Sequence, residues 1–141
     1  MCKDRLAKIL IVEDEIIVAL DIKYILENLG YRVLDIATSG ERAIKKAEET
    51  TPDLVLMDIG LSEGMDGVDS ARKIRVSFDI PVVYLSAYSD KETLERADAA
   101  ASYGYLHKPF AERDLHTAIQ AALHKHMEER KIREKEAFNA H

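Results

Sequence analysis

The sequence predicts an α/β fold of the doubly wound class, a parallel sheet with helices on both faces. Five short apolar runs alternate along the 141 residues with five segments whose apolar side chains recur at helical spacing. This alternation favours a parallel sheet, because parallel neighbours need crossover connections. The composition, 47% hydrophobic and 33% charged, is typical of a globular domain that can bury a core of ordinary size.

The first half of the chain contains three predicted strands and two predicted helices. The β-branched run from Lys8 to Val12 is typical of a strand buried on both faces. A helix from Asp14 to Leu29 follows, and Gly30 stands at the position of a helix stop. The other elements of this half are a strand at 32–37, a helix from 40 to about 51, and a strand at 53–57.

The second half continues the alternation after a loop that contains Gly60, Gly64 and Gly67. Pro81 suits the first residues of a strand, where a missing backbone donor is tolerated. The predicted elements are helices at 68–76, 90–101 and from 112 onward, and strands at 80–85 and 103–106.

Charge and apolar content exclude several classes of function. With 20 basic and 26 acidic residues the net charge is −6, and no basic patch favours nucleic acid as a partner of this chain. Cys2 is the single cysteine, which excludes an intramolecular disulfide. No apolar stretch approaches the ~20 residues that cross a bilayer, so we expect no membrane segment and a cytoplasmic location.

Acidic, hydroxyl and amine side chains stand where four of the predicted strands end. Glu13 and Asp14 follow the first strand, Asp58 the third, Ser86 the fourth and Lys108 the fifth. Each one alone has an ordinary explanation, as a helix-terminal acid, a cap or a solvated charge. In doubly wound folds, however, the carboxyl ends of the strands form the edge at which ligands bind. Together these residues therefore predict a functional site there.

The chemistry of this predicted site is that of phosphoryl transfer. Three adjacent carboxylates repel one another and take up protons unless a cation joins them. Mg²⁺ suits such a site, because it binds through one or two carboxylates and keeps positions for water and phosphoryl oxygens. A carboxylate can act as the nucleophile toward a phosphoryl group, while a lysine neutralises the charge of its oxygens.

The segments ILIVEDE, LVLMDIGL, MDGVDSARKIR, PVVYLSAYSD and YGYLHKPF follow one another in a characteristic order and spacing. In them the chain resembles the response-regulator receiver domains of two-component signalling, over roughly Ala7 to Leu123. The resemblance implies a receiver domain at 7–124, followed by an extension at 125–141. It also implies a five-stranded sheet with the flavodoxin-like strand order 2-1-3-4-5.

The resemblance implies a function for the predicted site. Asp58 would accept a phosphoryl group from a sensor histidine kinase, in a transfer that the receiver itself catalyses, and autodephosphorylation would follow. The chain would therefore be a phosphoacceptor and not an enzyme in the usual sense. Ser86 and Lys108 would bind the phosphoryl oxygens. The Mg²⁺ ligands would be Glu13, Asp14, Asp58 and the backbone carbonyl of Gly60.

Tyr105 matches the switch aromatic of the family. The resemblance implies that Ser86 moves toward the phosphoryl group and that Tyr105 turns into the space it leaves. The alternative is a core tyrosine in a short strand. In the switch, the surface of the fourth predicted helix, the fifth strand and the fifth helix would change shape. The same surface is a candidate for homodimer formation.

Charged residues dominate the extension at 125–141. Eight of the nine residues at 128–136 are charged, four of each sign. Oppositely charged pairs at i,i+4 spacing favour a helix, which we expect to extend through about Lys131. The segment resembles the helical linkers that join receivers to a downstream sensory or kinase module. We therefore expect the chain to be, or to derive from, the N-terminal part of a longer signalling protein.

Three other functions fit parts of the sequence. A phosphatase of the haloacid dehalogenase type would place its nucleophile after the first strand and a second acid two residues on, whereas Asp58 follows the third and precedes Ile59-Gly60. A flavin-binding domain would need a phosphate loop in place of Glu13, Asp14 and Glu15. A degenerate receiver that acts only as an interaction module usually lacks one of the chemical residues, and here none is missing.

Overall fold

The computed structural model describes residues 7–61, 64, 66–87 and 103–139, and the five predicted strands all lie within these ranges. They are β1 (Lys8–Val12), β2 (Arg32–Ala37), β3 (Leu54–Asp58), β4 (Val82–Ser86) and β5 (Tyr105–His107). All neighbouring strands pair in parallel, in the order β2-β1-β3-β4-β5. The predicted doubly wound α/β class and its flavodoxin-like strand order are thus confirmed.

Helices connect the strands. In the described part of the chain they are α1 (Ile16–Asn28), α2 (Gly40–Thr50), α3 (Gly67–Phe78) and α4 (Glu112–Asn139). The last of these, called the C-terminal helix below, is the fifth helix of the sequence prediction. The helix predicted at 90–101 lies outside the described residues. Among the described helices, none combines the length and the apolar character that crossing a membrane requires.

The central strands send alternate side chains into two cores, one on each face of the sheet. Leu10 and Val12 of β1 pack in the core that α2 and α3 cover. Ile9 and Ile11 of the same strand pack in the core that α1 and the C-terminal helix cover. Every residue of β3 and β4 is buried, as expected for parallel strands that have helices on both faces. This packing holds the carboxyl ends of the strands in place.

Helix α1 begins at Ile16, two residues later than the sequence predicted from Asp14. Glu15 is the residue that precedes the helix, and its first turn contains no acidic side chain. The amide of Glu13 donates to the carbonyl of Ala37 at 3.0 Å, so sheet pairing continues past the end of β1. Glu13 and Asp14 therefore lie in the loop before the helix, at the edge of the sheet, and not in the first helical turn.

The beginning of α3 packs directly against the backbone of Asp58. A Cβ atom at Gly67 would lie 2.6 Å from the carbonyl oxygen of Asp58 and 3.0 Å from the Cα atom of Ile59. Backbone atoms cannot rotate away, so we expect Gly67→Ala to lower the free energy of unfolding by about 1–3 kcal/mol. Urea unfolding followed by circular dichroism measures this change, and Ser77→Ala on the exposed face of α3 is the control. Equal stability of Gly67→Ala and the wild type would contradict the close approach.

The C-terminal helix is continuous from Glu112 to Asn139 and crosses the predicted domain boundary at 124 without a break. It therefore extends well beyond Lys131, where the sequence analysis expected its end. Asp79, the residue that follows α3, bonds to His126 Nε2 at 3.1 Å and to Arg133 Nη2 at 3.2 Å. These contacts join residues far apart in the chain, so the charge pattern of the extension alone did not predict them.

Candidate functional site

The register of β1 and β3 places Glu13 beside Asp58 at the carboxyl edge of the sheet. Val12 pairs with Met57, so the residue that follows each of them reaches the same edge. Both acids are buried, with Glu13 at 0% and Asp58 at 5% exposure. A buried acid needs a charged or hydrogen-bonding partner, because desolvation disfavours its ionised form.

Asp14 completes a cluster of three carboxylates. One oxygen from each of Glu13, Asp14 and Asp58 lies within 4.8 Å of the other two. No other group of three potential metal ligands occurs among the residues that the structure describes. Carboxylate oxygens at this spacing suit a hard divalent cation such as Mg²⁺. The structure thus brings together the three acids that the sequence assigned to this edge.

Lys108 supplies the positive charge of the site. Its Nζ atom lies 3.0 Å from Glu13 Oε1 and 3.7 Å from Asp58 Oδ1. Its backbone amide donates to the carbonyl of Ser86 at 2.7 Å, which holds the start of the following loop against β4. Burial alone would lower the pKa of Lys108, but the bond to Glu13 and the charge of Asp58 outweigh it and raise that pKa. The side chain therefore stays cationic at neutral pH.

Glu13 is the acid whose protonation is most affected by its surroundings. Burial, and then the negative charge of Asp58, raise the pKa of Glu13 from its ordinary value of 4.5 to about 7, although the bond from Lys108 acts in the opposite direction. One lysine therefore does not compensate for the burial of Glu13 together with the charge of Asp58. A divalent cation in the cluster would offset this repulsion and favour the ionised form of Glu13.

Without divalent cations, we expect Glu13 to lower the free energy of unfolding as the pH rises from about 4.5 to about 7. The pKa of Glu13 is higher in the folded chain than in the unfolded chain. Its contribution to the free energy of unfolding is therefore fully present below pH 4.5 and is lost as the pH rises through about 7. The Glu13→Gln variant should lack this component, which amounts to at most about 3 kcal/mol. Urea unfolding in EDTA across this pH range measures both curves. Parallel curves for the two proteins would contradict the raised pKa.

Gly60 lies next to the cluster. Its backbone N–H donates to Asp58 Oδ1 at 3.0 Å, which orients one oxygen of that carboxylate. The residue itself is exposed, so the backbone at this position is accessible from solvent. The role of the Gly60 carbonyl as a metal ligand stays a prediction.

Ser86 has its hydroxyl group bonded to β5 instead of to the acid cluster. Its Oγ atom lies 3.1 Å from His107 Nδ1 and donates to the carbonyl of Leu106 at 3.4 Å. The residue is fully buried, at 0% exposure. In the parallel register Asp58 pairs with Leu85, so Ser86 is one residue beyond the level of Asp58. The role of Ser86 in binding a phosphoryl group stays a prediction.

Tyr105 is on the surface. It is 41% exposed, so the alternative of a core tyrosine is wrong. Its ring stands nearly perpendicular to that of His107, with 5.8 Å between the ring centroids.

His107 was not among the site residues predicted from the sequence, although its place at the end of β5 indicates a position beside Ser86. Residues of a strand that are two apart share a face, and in parallel register the last residue of β5 stands beside the last residue of β4.

Residues 9–120 match the family model described as the response regulator receiver domain. The matched segment includes the strands and the acid cluster, and extends through most of the core of the fold. The match favours the receiver over the phosphatase and flavin-binding alternatives. Receiver domains are signalling domains and not classical enzymes.

Two curated relatives agree with this assignment. The transcriptional regulatory protein PdtaR of Mycobacterium tuberculosis is 38% identical over 116 residues, which are 82% of this chain and 56% of the relative. The phyllosphere-induced regulator PhyR of Methylorubrum extorquens is 33% identical over 99% of this chain and 51% of its own length. The chain thus spans about half the length of the curated relatives it matches.

Solved structures show the same fold. The signal receiver domain of a modulated diguanylate cyclase from Desulfovibrio desulfuricans superimposes with a TM-score of 0.83 at 38% identity, over 88% of this chain and 98% of that one. The N-terminal domain of a response regulator/sensory box/GGDEF three-domain protein from Carboxydothermus hydrogenoformans gives a TM-score of 0.79 at 41% identity, over 86% and 98%. Since sheet order, sequence and structural similarity agree, the chain belongs to the response regulator receiver domains of two-component systems.

Proposed function

We propose that this receiver is a signalling switch that takes a phosphoryl group onto Asp58. The position of the Asp58 carboxylate is the observation that supports this most. It lies within 4.8 Å of the two other acids, 3.7 Å from the ammonium group of Lys108, and 3.0 Å from the amide of Gly60. Because these groups converge on one carboxylate, we favour an active receiver over a degenerate interaction module.

In the proposed step, an oxygen of Asp58 attacks the phosphorus atom of a phosphohistidine on a sensor histidine kinase. The P–O bond forms while the P–N bond breaks, and the departing imidazole keeps the electron pair and takes up a proton. Lys108, now 3.0 Å from Glu13, would pair with the new phosphoryl oxygens as a point charge. Water later hydrolyses the aspartyl phosphate and returns the switch to its resting state.

We propose that Glu13, Asp14, Asp58 and the Gly60 carbonyl bind Mg²⁺ during this step. The ion would supply positive charge that neutralises the oxygens of the transferred group. The residues present fit such an ion, because three carboxylate oxygens lie within 4.8 Å of one another. The raised pKa of Glu13, caused first by burial and then by the charge of Asp58, supports the same proposal, because a bound cation would favour the ionised form of this acid.

The outer face of α1 offers a surface for the phosphoryl donor. Ile16, Ile17, Leu20 and Tyr24 are each more than half exposed. A contiguous group of exposed apolar side chains is typical of an interaction site. Because α1 begins two residues after Asp14, this face starts close in the chain to the acid cluster. We propose that the sensor histidine kinase docks here, in the cytoplasm.

We further propose that the C-terminal helix transmits the switch to a sensory or kinase module of a longer protein. The hydroxyl of Tyr103 donates to Glu129, and Tyr103 is only two residues from Tyr105. Asp79 bonds to Arg133 on the same helix. The extension therefore contacts Tyr103, which comes just before β5, and Asp79, which comes just after α3. The similar receiver from Carboxydothermus hydrogenoformans is itself the N-terminal domain of a three-domain protein.

Amide hydrogen exchange tests this transmission. We expect protection of the helix backbone to extend through about Arg133 in the resting state, and to change at 126–133 when the phosphoryl mimic beryllofluoride binds. Asp79→Asn, which keeps a residue type that tolerates the left-handed backbone at this position, should reduce the protection of that segment. Lys131→Ala, an exposed change on the same helix, is the control. Protection that ends at Leu123 in both states would contradict a transmitting helix.

Homodimer formation through the fourth predicted helix, β5 and the C-terminal helix stays part of the proposal. Residues 88–102, which include that predicted helix, lie outside the described residues. Sedimentation velocity with and without beryllofluoride measures whether the switch changes the oligomeric state.

Acetyl phosphate, a small phosphoryl donor, tests the central proposal without any kinase. In the presence of Mg²⁺ the intact mass of the chain should increase by one phosphoryl group, and in EDTA it should not change. The absence of an increase in Mg²⁺ would contradict the proposed function.

A further inference from the structure

His107 contacts both residues of the proposed switch, although it is not among the residues that would touch the phosphoryl group. It is the register partner of Ser86 across β4 and β5, and its Nδ1 atom lies 3.1 Å from Ser86 Oγ. Its ring also contacts that of Tyr105 at a centroid distance of 5.8 Å. Tyr105 and His107 are two residues apart on one strand, so both side chains project from the same face.

The bond to His107 is the closer of the two bonds that the structure gives the Ser86 hydroxyl. Ser86 is fully buried, and a buried hydroxyl without a partner is costly. The bond to the carbonyl of Leu106, at 3.4 Å, is long for an O–H donor. The bond to Nδ1 forms with either tautomer: the hydroxyl accepts from a protonated nitrogen while it donates to Leu106, or it donates to a bare nitrogen instead of to Leu106. The imidazole therefore holds the hydroxyl toward β5.

A backbone hydrogen bond lies next to this contact. The amide of Lys108 donates to the carbonyl of Ser86 at 2.7 Å, which fastens the end of β5 to β4. In the proposed switch, the Ser86 hydroxyl turns from His107 toward a phosphoryl group on Asp58. For Tyr105 to turn inward, its ring has to leave the same imidazole. Both movements thus break contacts with one side chain.

We propose that His107 is a positioning residue that stabilises the resting state of the switch, by holding the Ser86 hydroxyl away from Asp58 and the Tyr105 ring on the surface. This inference rests on the proposed function, because it assumes that Ser86 binds the phosphoryl group. Loss of the imidazole raises the free energy of the resting state alone. The phosphorylated state, in which the hydroxyl has a phosphoryl partner, is then populated more easily.

The affinity for beryllofluoride in the presence of Mg²⁺ tests the proposal, measured by calorimetric titration of the whole chain. His107→Val removes the nitrogen and keeps a residue type that favours strands. We expect it to bind beryllofluoride about fivefold more tightly than the wild type, since the resting state loses one hydrogen bond. His107→Asn, whose amide can replace Nδ1, should stay within about twofold of the wild type.

The same substitution in a Ser86→Ala background separates positioning from a general structural effect. Without the hydroxyl, the increase caused by His107→Val should fall well below fivefold, because only the contact with Tyr105 is then lost. An equal increase in both backgrounds, or no increase in His107→Val with a native circular dichroism spectrum, would overturn the inference and leave the proposed function intact. If the wild-type chain does not bind beryllofluoride at all, the proposed function fails and the inference fails with it.

Discussion

The Asp58→Asn variant is expected to take up no phosphoryl group from acetyl phosphate, whereas the wild-type chain takes up one in the presence of Mg²⁺. Asparagine has nearly the same shape as aspartate, but its neutral amide is not a nucleophile toward phosphorus. Because the side chain is buried at the end of β3 and its environment is otherwise unchanged, the fold should persist. Intact-mass spectrometry measures the uptake, and circular dichroism checks the fold.

Two controls make this result specific. Asp21→Asn changes an exposed acid of α1 by the same chemistry and should be labelled like the wild type. Lys108→Met keeps the phosphoacceptor but removes the ammonium group 3.7 Å from it, so labelling should be slower and not absent. Equal labelling of Asp58→Asn and the wild type would show that another residue is the phosphoacceptor.

The second large effect concerns the metal. Mg²⁺ is expected to raise the melting temperature of the wild-type chain by roughly 5–10 °C at a concentration about a hundredfold above its Kd. The reason is that the ion binds the acid cluster only in the folded chain, where the three carboxylates lie within 4.8 Å of one another. A thermal melt in EDTA and in Mg²⁺, followed by circular dichroism, measures the difference. A melting temperature that does not respond to Mg²⁺ would contradict the metal site.

The Asp14→Asn variant tests the metal site without changing the proposed phosphoacceptor, Asp58. Removal of one carboxylate from the cluster should abolish most of the Mg²⁺-dependent increase, while Asp21→Asn, outside the cluster, should keep it. In EDTA the Asp14→Asn variant should be at least as stable as the wild type, because one of the repelling charges is absent. A variant that is less stable in EDTA and still gains from Mg²⁺ would show that Asp14 has a structural role instead.

Much of the fold was determined by the sequence alone. Short β-branched runs such as residues 8–12 are typical of strands buried on both faces, and their alternation with predicted helices favours a doubly wound parallel sheet. The position of Glu13, Asp14, Asp58 and Lys108 at strand ends then implies that they meet, because all parallel strands point the same way. Local pattern and topology were sufficient for this part of the site.

Tertiary structure alone decided how these groups behave. Whether Glu13 carries a proton depends on its burial and on Asp58, which is distant in the chain. The bond between Ser86 and His107 and that between Asp79 and Arg133 likewise join separate elements. The orientation of a side chain and the length of a helix depend on such contacts. The energy of each contact depends on distance and desolvation in the folded chain. Local periodicity does not encode those distances, so the orientation of the Ser86 hydroxyl and the full length of the C-terminal helix became visible only in the assembled fold.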